Sequence, residues 1–205
     1  MNNVFERYAR KYDVWYDKNK LAYLSELEAV RKFLPKKGRG LEIGVGTGRF
    51  AAALNIEFGV DPSPAMLKKA KVRGVKVRLG VGERLPFGDS VFDYAAIIIS
   101  ICFMDNPRKV FKEAKRVLKK NGKLIVGIID KNSFLGRLYR KKKSVFYRKV
   151  HFYGAEEISK LFKEYGFKRI SYLQTIFSSL RGIVSVETPV SGFGRGGFVV
   201  IRGTL

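Results

Sequence analysis

The stretch LEIGVGTGRF, Leu41 to Phe50, sets a short apolar run against three glycines at alternate positions, Gly44, Gly46 and Gly48. GLEIG reads as a buried strand, and GRFAAAL behind it reads as the start of a helix. A strand that turns on glycines into a helix is the opening unit of a parallel α/β sheet. Glycine at such a turn lets the backbone come close to something that a side chain would keep away. The pattern is not the dinucleotide signature G-x-G-x-x-G/A, because the third glycine falls one place early and Arg49 stands where it should be. No G-K-[ST] follows, so it is not a phosphate loop of that kind either. Taken alone, the turn is also what any tight strand-to-helix connection needs.

Outward from this turn, strands and helices alternate. IEFGV reads as strand, PSPAMLKKAKVR as helix, GVKVRLG as strand and SVFDYAAIIIS as a strongly apolar strand. NPRKVFKEAKRVLKKNG reads as one helix, opened by Asn106 and Pro107 and closed by Gly122, and KLIVGIID follows as strand. Short apolar strands between amphipathic helices mean a parallel sheet covered on both faces. After Asp130 come a basic stretch, the helix GAEEISKLFKEYG, and two final strands, FKRISYLQTIF and GGFVVIRGT, with a long loop between them. Ahead of the sheet, Phe5, Tyr8, Tyr12, Trp15 and Tyr16 recur at helical spacing, so the first 34 residues are expected to be helical. The expected division is a helical lid at 1–36, a core at 38–130, a basic insertion at 131–155 and a C-terminal helix with two strands at 156–205.

Composition narrows the class. A chain of 205 residues with 46% hydrophobic content is expected to fold as one domain with a proper core. The single cysteine, Cys102, rules out an internal disulfide. The charged opening segment and the absence of a long apolar run predict a protein with no leader and no membrane span, soluble and cytoplasmic. Lys and Arg number 41 against 18 Asp and Glu, a net charge of +23 that favours polyanions at long range and says nothing about fold. One histidine and one cysteine give no metal-ligand spacing, so no metal is expected.

Two acids flank the glycine turn. Glu42 lies inside an apolar strand, two residues before Gly44, and Asp61 closes the next strand in EFGVDPSP. A carboxylate at that strand end is well placed to accept the hydroxyls of an adenosyl ribose. It is equally placed to cap the helix that begins at Pro62 or Ser63.

LEIGVGTGRF, GVDPSPAML and GVGERLPFGDSVFDYA, in this order and spacing, resemble the class I S-adenosylmethionine-dependent methyltransferases, and most closely the ubiquinone and menaquinone biosynthesis branch. The resemblance runs from about Phe5 to Ile129, and more loosely to the C-terminus. It implies a Rossmann-like, doubly wound, mostly parallel seven-stranded sheet with an antiparallel C-terminal strand and a helical N-terminal lid. It further implies S-adenosyl-L-methionine as cofactor and S-adenosyl-L-homocysteine as product, with Gly44, Gly46 and Gly48 against the methionine and ribose. Glu42 would orient the turn or the methionine ammonium, and Asp61 would hold the ribose diol. Gly82 and Glu83 would meet the adenine edge, Pro62 and Leu85 its faces, and Tyr8, Tyr12 or Tyr16 would reach over the cofactor. Val81 departs from the family, many of whose members carry an acid there. Glu83 is then either its substitute or a solvent-facing loop residue.

The acceptor side is less defined. Displacement at an activated methyl group asks mainly for alignment. Asp105 follows the fourth strand and is a candidate acid, or else a cap for the helix behind it. His151 is the one histidine and a candidate base, or else a packed ring beside Phe152 and Tyr153. The paired cysteines of cytosine-5 methyltransferases are absent, and SICF stands where methyltransferases of base amino groups carry an Asn/Asp-Pro-Pro-aromatic motif. RLYRKKKSVFYRK, Arg137 to Lys149, holds seven basic residues, no acid and interleaved aromatics. That composition suits nucleic acid, anionic lipid or an acidic small molecule, or is simply a solvated face. The expected function is methyl transfer to a small-molecule acceptor. The alternative is an RNA-directed methyltransferase or a polyanion-binding protein that uses the basic surface.

Overall fold

The computed structural model describes residues 4–141, 144–147 and 150–205. The N-terminal segment forms two helices, α1 (Val4–Lys18) and α2 (Lys20–Arg31), separated at Asn19. Five parallel strands follow: β1 (Gly40–Ile43), β2 (Phe58–Asp61), β3 (Lys76–Leu79), β4 (Phe92–Ile98) and β5 (Leu118–Ile129). Between them lie α3 (Arg49–Ala53), α4 (Pro64–Val72) and α5 (Pro107–Val117). The chain continues through α6 (Phe134–Lys141), α7 (Ala155–Glu164), β6 (Lys168–Thr175), β7 (Val190–Ser191) and β8 (Phe198–Thr204).

Among the described residues the sheet has eight strands in the order β3-β2-β1-β4-β5-β8-β6-β7. β8 runs antiparallel to both β5 and β6. The strand beyond the expected seven is β7, a two-residue edge piece inside the long loop, too short to leave a periodic signal. Strand order reverses between β1 and β4, which puts the end of β1 at the switch point where doubly wound sheets bind ligands.

Side-chain alternation divides the core. Tyr94, Ala96 and Ile98 of β4 face the same layer as Ile125 of β5, Val200 of β8, Val30 of α2 and Phe50 of α3. Ala95 and Ile97 face the opposite layer, with Leu124, Val126, Val199, Phe111 of α5 and Phe162 of α7. This is the period of two expected of strands buried on both faces. Burying a Val or Phe side chain of this kind contributes roughly 1.5–3 kcal/mol.

Two local expectations change. The helix after β4 ends at Val117, not at Gly122, and β5 begins at once with Leu118 opposite Phe92. Ladder pairing with β4 then shifts and resumes at Tyr94 opposite Lys123, so Lys119–Gly122 form a bulge within β5, with Asn121 at a φ of 63°. The basic stretch after Asp130 contains α6, whose Leu135 and Tyr139 are buried while its Arg137 and Arg140 are exposed. Lys142, Lys143, Arg148 and Lys149, four of the basic residues of the 137–149 segment, lie outside the described residues. No helix among the described residues is long and apolar enough to cross a membrane.

Candidate functional site

The glycine turn leaves β1 with Gly44, Gly46 and Gly48 at φ values of 75°, 52° and 79°. L side chains adopt that region with strain. The three glycines have different neighbours. A Cβ on Gly44 would fall 2.5 Å from the Cβ of Ser100, whose hydroxyl donates to the Ile43 carbonyl at 2.8 Å. A Cβ on Gly48 would fall 2.8 Å from Ala70 of α4. At Gly46 the nearest atom is a ring carbon of Tyr12, 3.9 Å away. Gly44 and Gly48 thus admit protein, while Gly46 faces open space under α1.

Asp61, at the end of β2, anchors this turn. One of its oxygens accepts the Gly46 N–H at 2.9 Å, and the other accepts the Ser63 N–H at 2.9 Å. Ser63, not Asp61, caps α4, accepting the Met66 N–H at 3.2 Å. Burial pushes the Asp61 carboxyl up from its ordinary value, and the two backbone hydrogen bonds work against that rise. Glu42 is 2% exposed, and its Oε2 has no hydrogen-bond partner. Burial raises its carboxyl far above the usual range, with an opposing hydrogen bond from the Ala51 backbone and a further rise from the Asp61 charge.

The segment after β3 closes the next side. Gly82 is buried against Ile43, Met104 and Val110, with no room for a Cβ beyond 3.1 to 3.3 Å. Glu83 turns its carboxylate to the Asn106 N–H at 3.1 Å, tying this segment to the start of α5. Leu85 is buried, and its N–H goes to Glu113 at 2.8 Å. Pro62 is exposed.

The helix α1 lies over the turn. Tyr12 shares a hydrogen bond of 2.8 Å with Tyr16, and both rings are packed edge to face. Asp13 is the latch. Its carboxylate accepts the Thr47 hydroxyl at 2.8 Å, Arg49 Nε at 2.8 Å and Arg73 Nη2 at 2.9 Å. Burial works to raise its carboxyl, but the hydrogen bonds from Arg49, Arg73 and Thr47 outweigh it and bring it to about 2. A second tie is Glu6, which accepts the Ser63 hydroxyl at 2.5 Å and the Ala65 N–H at 3.1 Å. Asp13 escaped the sequence reading although a signal existed. At helical spacing it shares the buried face with Ala9 and Tyr16, and an acid on such a face needs partners.

Toward the segment after β5, Phe5 of α1 meets Phe103 edge-on at 4.8 Å and stacks on Phe146 at 5.6 Å. Beyond them, at the carboxyl ends of β4 and β5, a cavity of about 10 Å³ is lined by Ile99, Cys102, Ile129, Tyr147 and Phe152. That is space for one water at most. Burial pushes the Cys102 thiol up to about 12, which leaves it protonated at neutral pH. Asp105 is exposed, and the cap of α5 is Asn106, which accepts the Lys109 N–H at 3.1 Å. His151 is exposed, with its ring 4.6 Å from that of Tyr153. No cluster among the described residues gathers three His, Cys, Asp or Glu side chains fit to hold a metal ion.

This geometry coincides with close relatives. A methyltransferase-domain family matches residues 41–126. The crystal structure of a SAM-dependent methyltransferase from Thermotoga maritima, named as a possible histamine N-methyltransferase, is 48% identical, with 100% of this chain and 99% of that one covered at a TM-score of 0.96. The chain belongs to the S-adenosylmethionine-dependent methyltransferases. The methyltransferase is also 51% identical over 201 residues to an uncharacterized protein of Methanocaldococcus jannaschii, with 97% of each covered. A ubiquinone/menaquinone biosynthesis C-methyltransferase of Rickettsia massiliae is more distant, 33% identical over 145 residues, which are 61% of this chain and 58% of that protein. S-adenosyl-L-methionine is the cofactor of this family. The methyltransferase has what that group asks for: an open cradle at Gly46 and an orphaned, buried carboxylate oxygen on Glu42.

Proposed function

We propose that the protein transfers the methyl group of S-adenosylmethionine to a small-molecule acceptor enclosed between α1 and the segment after β5. The observation that carries this reading is the closure of α1. Asp13 ties that helix to the glycine turn at Thr47, and Phe5 joins it to Phe103 and Phe146 on the acceptor side. A lid latched over an aromatic-walled space excludes water and suits a compact acceptor admitted when the lid opens. A relative named as a possible histamine N-methyltransferase supports a small acceptor as well.

When bound, the cofactor supplies an activated methyl group, so the chain's own residues need only hold, orient and shield. On this reading Gly46 gives backbone access, and each oxygen of Asp61 keeps a lone pair for a ribose hydroxyl after accepting one N–H. Glu42 meets the methionine ammonium directly or through water, which gives its orphaned oxygen a partner. Gly82 lines the adenine side, with Leu85 as apolar support, while the Glu83 carboxylate is committed to Asn106. Tyr12 closes the site from above. Asp105 and His151 are exposed, and neither is assigned the acceptor's proton.

One observation favours the RNA reading. Between α1 and α4 runs a groove of about 630 Å³ lined by Arg7, Arg10, Lys68, Lys69 and Arg73, with the acid Glu6 among them. Such a groove suits a phosphate backbone. The deciding experiment incubates the protein with methyl-labelled S-adenosylmethionine and separated RNA, lipid and small-metabolite fractions. Label in metabolites or lipid supports the proposal. Label in RNA, falling steeply as salt rises, overturns it.

A further inference from the structure

The groove between α1 and α4 has five cations and one acid in its walls, around a volume of about 630 Å³. A water molecule takes about 30 Å³ of the liquid, so this is room for an extended ligand. Arg7 and Arg10 enter it from α1, and Lys68 and Lys69 from α4. Arg73, the residue after α4, lines it as well. Two helices that face each other with like charge repel unless an opposite charge lies between them.

The acids nearby are already engaged. Glu6 Oε2 accepts the Ser63 hydroxyl and the Ala65 N–H at the start of α4, where a carboxylate suits the N-terminal end of a helix. Asp13, which is buried, takes Arg73 at 2.9 Å and lies 3.9 Å from Lys69. Arg7, Arg10 and Lys68 have no acid partner among the described residues. All three are exposed, and the Arg7 guanidinium lies over the Tyr8 ring at 5.4 Å. The groove therefore keeps unpaired cations on both of its walls, beside two more that share one carboxylate.

We propose that this groove binds a short linear polyphosphate, free or as the tail of a nucleotide, and that the bound chain bridges α1 to α4. Cations on opposite walls match a ligand whose charge is spread along its length. Arginine can hold two phosphate oxygens at once, and lysine adds a compact point charge. None of the lining residues is aromatic, so the groove offers no platform on which the bases of a single strand could stack. Bound phosphates remove the repulsion between the helices and hold α1 down through Arg7 and Arg10, adding to the tie that Asp13 makes at Thr47. Neither Gly46, Glu42 nor Asp61 lines this groove, and the proposal does not depend on which acceptor takes the methyl group.

The test is calorimetric titration of the full chain, saturated with S-adenosylhomocysteine, with inorganic tripolyphosphate, ATP and a uridine oligonucleotide in turn. Tripolyphosphate is expected to bind one to a chain. Arg10→Ala combined with Lys68→Ala should weaken it at least about tenfold, leaving the affinity for S-adenosylhomocysteine unchanged. Lys160→Ala combined with Lys163→Ala removes the same charge from α7, which packs on the other face of the sheet, and should weaken it less than about twofold. Amide exchange over α1 should slow when tripolyphosphate is added. ATP bound as tightly as tripolyphosphate supports the proposal with a nucleotide tail as the source, and weaker ATP supports it with the free chain. No binding of tripolyphosphate, or equal losses in the two double variants, would overturn the site and leave attraction to the net charge alone. Tighter binding of the oligonucleotide than of tripolyphosphate would overturn it in favour of a nucleic-acid track, and unchanged exchange over α1 would overturn the bridge.

Discussion

Thr47 of the glycine turn donates its hydroxyl to Asp13 of α1 at 2.8 Å, so α1 and the glycine turn are one hydrogen-bonded unit. The same carboxylate holds Arg49 at the start of α3 and Arg73 behind α4. Arg73 in turn donates to the Thr47 carbonyl at 2.8 Å. Moving α1 away must break the three contacts to the Asp13 carboxylate together, while the Arg73 bond to the Thr47 carbonyl lies outside α1.

Asp13→Asn is therefore expected to loosen α1 more than it loosens the sheet. Hydrogen bonds to a charged group contribute about 1.5–3 kcal/mol, and a loss in that range should appear in denaturant unfolding. Amide exchange over α1 should rise more than over β4 or β5. With the carboxyl held at about 2, its contribution is present above the ordinary carboxylate range near pH 4 and disappears as pH falls through about 2. If exchange in α1 were unchanged in Asp13→Asn, the latch would be refuted.

Asp61→Ala removes a carboxylate that holds the Gly46 and Ser63 amides and, on the proposed reading, the ribose. Losing one charged hydrogen bond of about 1.5–3 kcal/mol to the ligand weakens binding roughly tenfold to a hundredfold. Calorimetric titration with S-adenosylmethionine measures this, with circular dichroism as the check on folding. Unchanged affinity would remove Asp61 from the site.

Gly46→Ala and Gly48→Ala should separate binding from folding. Both sit at left-handed φ, which costs a non-glycine residue about 1–2 kcal/mol. Only at Gly48 would the new Cβ meet α4, 2.8 Å from the Ala70 Cα, and overpacking of that kind adds about 1–3 kcal/mol. Gly48→Ala should therefore be the less stable variant by thermal melting. Gly46→Ala should stay folded and lose cofactor affinity, because its methyl enters the open cradle. Equal stability of the two would contradict this division.

Sequence pattern carried the sheet well because β4, β5 and β8 alternate their side chains between two buried layers, which leaves near-continuous apolar runs such as YAAIII. It failed where pattern and chain path part company. KKNG continues the charge and spacing of α5, yet the chain leaves the helix at Val117 and bulges within β5 before Lys123. α6 was hidden by its arginines, since its buried side rests on Leu135, Gly136 and Tyr139 alone. In the site, Glu42, Gly46 and Asp61 stand out because they cluster within two strand ends. Asp13 depends on contacts made across the fold. Its one local trace is an acid on a buried helix face, beside Ala9 and Tyr16.

The buried acid of α2 should leave its mark on stability even with no ligand added. Glu26 is raised to about 8 in the folded chain, against roughly 4.3 for an unfolded glutamate. Below about pH 4 both states hold the proton, and Glu26 costs nothing through ionisation. As pH rises from there to about 8, the unfolded chain loses its proton while the folded chain keeps it, so the folded state loses up to about 1.4 kcal/mol per pH unit. Above about 8 both are ionised and the loss levels off. The phenols whose ionisation the Glu26 charge opposes, those of Tyr12, Tyr16, Tyr23, Tyr139 and Tyr147, are all raised by burial first and stay neutral throughout this range. Glu26→Gln, which cannot ionise, should gain on the wild type steadily between pH 5 and pH 8 in urea unfolding. A difference that stays flat with pH would show that Glu26 is ionised at neutral pH, contrary to its burial with an unpartnered oxygen.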